Sequence, residues 1–323
     1  MRRVVCQCIG PLDQLELEDT ADPEAGPGQV VVDVHAAGVN YVDGLFVQGL
    51  YQIKPAPPFT PGSEVAGVVA EIGDGVTGFA AGDRVIAMTG LGGYATHVAV
   101  PALALLPLPD GLDFGPAAGL VQSYSTALFT LTRRATVRTG EWVLVLGAGG
   151  GVGLATIDVA CALGARVIAA ASTDDKLAAA TAMGAEATIA YETEDLKTRA
   201  RELSGGGVDV VVDPVGGAHS EPALRATRFG GRFCVVGFAA GSIPKVPLNQ
   251  ILLNNRTVVG VDWGAWTVRA PDENRELLGE LLRMVEDGQL HPPAPTECPL
   301  EDAARVLADL LDRRVTGKVV LVP

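Results

Sequence analysis

Two hydrophobic rhythms divide the chain. Between residues 140 and 262, strand-like runs recur: Val143-Leu144-Val145-Leu146, apolar without alternation, then 166–171, 187–191, 208–213, 231–237 and 257–262. A run that is apolar at every position predicts a strand covered on both faces. Between these runs the spacing turns helical. Val152, Ala155, Thr156, Val159, Ala160 and Leu163 share one side of a helix over 151–163, and further helices are predicted over 174–184, 194–203 and 221–229. Strands alternating with helices predict a parallel, doubly wound sheet. The flanking chain reads differently. Short β-like runs at 30–34, 65–72 and 84–88 are separated by Gly26-Pro27-Gly28, Gly73-Asp74-Gly75 and Ala81-Gly82-Asp83, all turn-forming. Beyond residue 265 come helices over 274–286 and 300–311 and a last strand over 318–322. The fold class is therefore α/β. A doubly wound domain, 123–264, is inserted between two pieces, 1–122 and 265–323, of a mainly β domain.

The first strand of the wound domain runs into Gly147-Ala148-Gly149-Gly150-Gly151-Val152-Gly153. A strand, a glycine turn and a helix N-terminus present backbone N–H groups and the helix dipole to an anion, and the missing side chains let it come close. The spacing is A-x-G-x-x-G over Ala148, Gly150 and Gly153, a looser form of the dinucleotide fingerprint, and such a turn can also serve strand-to-helix geometry alone. Its place on the first strand of a wound sheet is where a dinucleotide pyrophosphate lies. An NAD site commonly carries an acid at the end of the second strand, for the ribose 2′-hydroxyl. Here that strand ends Ala170-Ala171-Ser172, and Lys176 follows. A hydroxyl and an ammonium suit a 2′-phosphate, so the expected cofactor is NADPH. Asp174 and Asp175 oppose this unless they point away. The plainer alternative has Ser172 capping the next helix and Lys176 as a solvated charge.

Composition narrows the classes. At 323 residues with 48% hydrophobic content the chain can fill two domains. A net charge of −14 opposes non-specific nucleic-acid binding. No apolar run reaches the roughly 18 residues of a membrane span, and the start of the chain makes a poor signal peptide. The five cysteines (6, 8, 161, 234 and 298) form no C-x-x-C pair, Cys161 and Cys234 read as core, and a cytoplasmic location is expected.

The segments Gly38-Val39-Asn40-Tyr41-Val42-Asp43, Gly49-Leu50-Tyr51, Pro61-Gly62-Ser63-Glu64-Val65-Ala66-Gly67, Ala81-Gly82-Asp83-Arg84-Val85, the glycine loop and Thr316-Gly317-Lys318-Val319-Val320-Leu321 occur in that order. Together they resemble the medium-chain dehydrogenase/reductase superfamily, in its zeta-crystallin-like quinone oxidoreductase branch, along the whole chain. The resemblance implies a GroES-like catalytic domain, a Rossmann domain and a cofactor cleft between them. It also implies roles for Asn40, Thr126, Tyr191, Gly237, Phe238 and Arg314 in holding the cofactor. Tyr191 would lie along the adenosine phosphate, and Arg314 would be a second cation for the 2′-phosphate. On the plainer reading Arg313 and Arg314 sit on an exposed turn, and Phe238 is core.

Alcohol dehydrogenases of that superfamily hold a catalytic zinc through Cys, His and Cys. By the resemblance, the matching positions here are Asn40, Ser63 and Gln122, none a good zinc ligand. The four histidines (35, 97, 219 and 291) are scattered. Without a Lewis acid, the acceptors expected are those that already stabilise negative charge after hydride arrives: quinones and α,β-unsaturated carbonyls. Asn40 is a candidate donor to a substrate oxygen. Tyr41 and Tyr51 are the nearby hydroxyls, and Tyr51 matches the proton-donor tyrosine of related enoyl-thioester reductases. The expectation is thus a zinc-independent NADPH-dependent reductase. An enoyl-thioester reductase and a nucleotide-binding protein with little turnover are the alternatives. The run Val258-Val259-Gly260-Val261 reads as an edge strand, a liability unless covered, and a homodimer is expected.

Overall fold

Glycine and proline turns cut the start of the chain into short strands, and the computed structural model, which describes residues 1–323, shows how they pair. Strands β1 (Arg2–Cys6) and β2 (Leu15–Asp19) form an antiparallel ribbon. The long β3 (Gln29–Gly38) is buried along most of its length, and helix α1 (Tyr41–Val47) follows it. β4 (Glu64–Ile72), β5 (Arg84–Met88), β6 (His97–Pro101), β7 (Leu105–Pro107) and the short helix α2 (Phe114–Ala118) complete the first segment. β3 pairs antiparallel with β4 and with β6.

The wound domain begins with α3 (Val121–Leu128), which runs into a π-helical turn over Phe129–Arg134. Strands β8 (Trp142–Leu146), β9 (Arg166–Ala171), β10 (Ala187–Ala190) and β11 (Val208–Asp213) alternate with α4 (Gly151–Ala162), α5 (Asp174–Ala182), α6 (Leu196–Leu203) and α7 (Ser220–Ala226). Then come β12 (Thr227–Val235), α8 (Asn249–Leu252), β13 (Thr257–Gly260), α9 (Trp263–Arg269) and α10 (Pro271–Glu286). All six strands are parallel, in the order β10-β9-β8-β11-β12-β13. The order reverses at β8, so the crevice beyond its carboxyl end is where a ligand of an open α/β sheet sits. Finally β14 (Thr296–Pro299), α11 (Ala303–Leu311) and β15 (Val319–Val322) rejoin the first sheet, β15 pairing antiparallel with β3. The fold is α/β, a Rossmann sheet carried between two segments of a β unit.

The chain forms two compact units, Met1–Gln122 with Pro293–Pro323, and Ser123–Pro292. The expected second boundary after residue 264 is therefore corrected: 265–292 belongs to the wound unit. The reason is packing that the helix's own sequence does not name. Trp266 lies on Phe129 with ring centroids 4.6 Å apart, and Glu280 pairs with Arg133 at 2.8 Å. The buried Asp158 of α4 also accepts from the His291 N–H at 2.7 Å and from the Tyr124 hydroxyl at 2.8 Å.

A second difference lies at 227–231. A helix to residue 229 is expected, but α7 stops at Ala226 and Thr227 opens β12. Its pairing with β11 slips between Val208↔Thr227 and Val210↔Arg232, leaving Arg228–Gly231 as a bulge, with Gly230 at φ 74° and Phe229 exposed. Arg228 is held there by the buried Asp209. Cys234 is core as expected, whereas Cys161 is half-buried.

Candidate active site

The glycine turn takes its shape from what crowds it. A Cβ on Gly153 would stand 2.3 Å from the Gly147 carbonyl oxygen and 2.8 Å from the Ala148 Cα, so only glycine lets α4 start this close to the strand. A Cβ on Gly149 would meet the Cβ of Lys176 at 2.4 Å, which places Lys176 of α5 directly against the loop. Ala148 is fixed by its N–H to the Ala170 carbonyl at 3.1 Å. Gly150 is the N-cap of α4 and has no side chain to cap it. The first-turn N–H groups of Gly151, Val152 and Gly153 have no acceptor within the helix and are directed outward. The arrangement fits a pyrophosphate: donors, positive dipole end and bare backbone coincide.

Ser172, Lys176 and Tyr191 gather beside this turn. The parallel register Ala190↔Ala171 puts Tyr191 beside Ser172, and the Tyr191 N–H reaches the Ala171 carbonyl at 3.3 Å. The N-cap of α5 is Thr173, so Ser172 is not the cap that the plainer reading made it. Asp174 and Asp175 are exposed in the first turn of α5. At the end of β11, Asp213 is buried and shapes the next loop. Its Oδ1 accepts from the N–H groups of Val215 (2.9 Å) and Gly216 (2.8 Å), and its Oδ2 from the Ser220 hydroxyl (2.6 Å). Gly237 donates to the Asp213 carbonyl at 3.2 Å, and Phe238 packs over Gly216 while staying partly exposed, so it is not plain core.

In the β unit, the three zinc-ligand positions do converge, and they hold one another. Asn40 caps α1, Ser63 precedes β4 and Gln122 closes the segment. The Asn40 amide donates to Ser63 Oγ (3.3 Å) and Glu64 Oε1 (3.0 Å), and Ser63 donates to Gln122 Oε1 (2.8 Å). Lys318, at the mouth of β15, donates to Asn40 Oδ1 (2.6 Å) and Glu64 Oε1 (2.9 Å), while the Gln122 N–H donates to Glu64 Oε2 (2.8 Å). Asp43 lies beside them, fully buried, accepting from the Asn40 N–H and the Tyr94 hydroxyl, both at 2.9 Å. Burial pushes the Asp43 carboxyl up to about 6. Burial, with Asp43 beside it, pushes the Tyr94 phenol far up as well, so it stays a donor.

An amide nitrogen has two protons, and those of Asn40 are directed to Ser63 and Glu64. Sequence reasoning missed Glu64, Lys318, Asp43 and Tyr94 as partners. A signal was present: three of the resemblance segments, 38–43, 61–67 and 316–321, each carry a single charged residue, and those three charges meet here.

The remaining candidates are placed as follows. Tyr41 begins α1 half-buried, and its phenol is raised by burial against the opposing pull of Arg313. Tyr51 follows the helix, its ring edge-on to Phe46 at 5.1 Å. Thr126 lies in α3, half-buried, with its carbonyl accepting from the Thr130 hydroxyl at 2.6 Å. Arg314 is exposed and paired with Asp309 (2.7 Å) and Asp312 (2.5 Å). No group of histidines, cysteines and acids that could hold a metal ion occurs in the chain.

A reversing parallel sheet with a glycine cradle on its first strand, carried between the segments of a β unit, defines a Rossmann-type oxidoreductase with a GroES-like companion. Residues 26–110 match the alcohol dehydrogenase GroES-like domain and residues 151–283 the zinc-binding dehydrogenase domain. The chain is 39% identical to quinone oxidoreductase-like protein 2 of Bos taurus over 95% of its own length and 88% of the relative's. It is 34% identical to the quinone oxidoreductase of Rattus norvegicus over 99% and 97%. The crystal structure of Escherichia coli quinone oxidoreductase complexed with NADPH superposes with a TM-score of 0.91, at 28% identity and full coverage of both chains. The chain belongs to the medium-chain dehydrogenase/reductase superfamily, in its quinone oxidoreductase branch.

Proposed function

We propose that the protein is a zinc-independent, NADPH-dependent reductase of quinones or α,β-unsaturated carbonyls. One observation carries the reading: Asn40, Ser63 and Gln122 are an amide, a hydroxyl and an amide, already bonded to one another and to the Lys318–Glu64 pair. Zinc wants thiolate, imidazole or carboxylate. Of the two carboxylates present, Glu64 takes three donors, from Asn40, Lys318 and Gln122, and Asp43 takes the Asn40 N–H and the Tyr94 hydroxyl. With that set, carbonyl polarisation by a metal is not available, and the suitable acceptors delocalise the incoming charge themselves.

NADPH is supported by the pyrophosphate cradle, by a second strand that ends without an acid, and by Lys176 beside Gly149. When bound, the cofactor supplies the hydride. The chain's own residues hold the phosphates, and a phenol donates the proton that follows. An amide gives a hydrogen bond but not a proton, so that donor is Tyr51 or Tyr41, the phenols of the same segment. A homodimer is supported by β13, which ends the sheet with Val258 exposed, and by exposed Phe229, Leu252 and Leu253. No helix is long and apolar enough to cross a membrane, and the five cysteines are free thiols, which fits the cytoplasm.

The test is NADPH oxidation across a panel of quinones, enones and enoyl thioesters, with elemental analysis of the same protein. Turnover of quinones or enones that survives a chelator, with no stoichiometric zinc, is expected. Stoichiometric zinc with chelator-sensitive activity overturns zinc independence. Turnover of enoyl thioesters alone makes the protein an enoyl-thioester reductase, and NADPH binding without turnover of any acceptor makes it a nucleotide-binding protein.

A further inference from the structure

We infer that His219 is a specificity-determining residue of the cofactor site: its imidazole lies tilted against the Tyr191 ring and fixes that ring where the nucleotide's 2′-substituent binds. The inference rests on the NADPH reading above. Three observations carry it. Tyr191 stands past the last residue of β10, opening a turn. Its N–H on the Ala171 carbonyl sets it beside Ser172, beyond the carboxyl ends of β9 and β10 and on the same rim as Lys176 and Gly149. The His219 and Tyr191 ring centroids are 4.1 Å apart, with an interplanar angle of 35°.

His219 can serve as a platform because its own backbone is pinned on both sides. It closes a short 3₁₀ turn, Gly217–His219. Upstream, the Gly216 N–H is held by Asp213 Oδ1 and the Gly217 N–H by the Ser242 carbonyl at 3.1 Å; downstream, the Ser220 hydroxyl is held by Asp213 Oδ2. The buried Asp213 thus fixes the loop, the loop fixes His219, and the imidazole fixes Tyr191. A phenol that donates to a phosphate makes a charge-assisted bond, about twice as strong as one to a ribose hydroxyl. Loss of its orientation therefore weakens NADPH more than NADH.

The experiment is equilibrium titration of the full chain with NADPH and with NADH, followed by nicotinamide fluorescence, for wild type, His219→Ala and His219→Phe. An aromatic pair sets the scale: removing the ring contact in His219→Ala is expected to raise the NADPH dissociation constant roughly three- to tenfold. NADH affinity should move by about half that free energy, roughly two- to threefold. His219→Phe keeps a ring in place and should return NADPH affinity to within about twofold of wild type. In turnover, KM for NADPH should rise in His219→Ala with kcat held. An unchanged NADPH constant in His219→Ala overturns the inference. Equal losses for both nucleotides overturn it too, since His219 then shapes a part of the site they share. If His219→Phe fails as badly as His219→Ala, the ring contact is not the cause. Wild type that binds neither nucleotide removes the NADPH reading itself, an outcome separate from all of these.

Discussion

Lys318→Met puts the buried network to a quantitative test. The Lys318 side chain is 9% exposed and that of Glu64 is 0%, with 2.9 Å between Nζ and Oε1. Methionine keeps the bulk of the lysine stem and removes the ammonium. Glu64 then retains the Asn40 amide and the Gln122 N–H, but its charge has no counter-ion, and Asn40 Oδ1 loses its donor. Breaking a buried pair from one side costs about 3–5 kcal/mol, most of it the uncompensated charge. For a unit of this size, about 2–4 °C of melting temperature is lost per kcal/mol, so the variant should melt roughly 6–20 °C lower. The assay is thermal unfolding of wild type, Lys318→Met, Glu64→Gln and the double variant. Because the two residues share one interaction, the double variant should be more stable than the sum of the singles by about 1–3 kcal/mol. A Lys318→Met protein melting within about 2 °C of wild type, or a cycle additive to about 0.5 kcal/mol, refutes the reasoning. The pair would then be dispensable to the fold, and the network would not be what closes the three ligand positions.

Lys176→Ala should cut the preference for NADPH over NADH in kcat/KM by roughly 10- to 100-fold, the worth of one hydrogen bond to a charged group; an unchanged ratio clears Lys176 of the role. Asp43 makes stability depend on pH. Its carboxyl is raised to about 6 in the fold, so the native state binds more protons than the unfolded chain between about pH 4 and 6, and this contribution is complete below about 4 and lost as pH rises through 6. Asp43→Asn removes it, so in urea unfolding the variant should gain on wild type by about 3 kcal/mol between pH 4 and pH 7, and a gap that stays constant contradicts the shift. Tyr51→Phe should lower kcat for an enone roughly 10²- to 10⁴-fold, because a new C–H centre makes protonation part of turnover, and for a quinone much less. Equal, small effects on both substrates make Tyr51 a packing residue.

What was legible in the sequence was local. The apolar runs at 143–146, 166–171 and 208–213 announce covered parallel strands because both faces of such a strand exclude water, and the glycines at 149, 150 and 153 announce a turn with little room. What was not legible depends on partners distant in the chain. The helix over 271–286 shows its leucine stripe plainly, yet nothing in the stripe says that Arg133 pairs with its Glu280. Phe229 continues a helical pattern until Asp209 and the register of β12 draw the chain into a bulge. Lys318 is the sharpest case. In sequence it is one cation ahead of an apolar strand; in the fold it is the counter-charge of Glu64, 254 positions away. A metal can hold three ligands from distant segments by its own charge. With an amide, a hydroxyl and an amide there instead, convergence needs another cation, and β15 supplies it because its antiparallel register with β3, Val320↔Gly38, sets Lys318 beside Asn40. The same register that completes the sheet thus decides what chemistry the site can do.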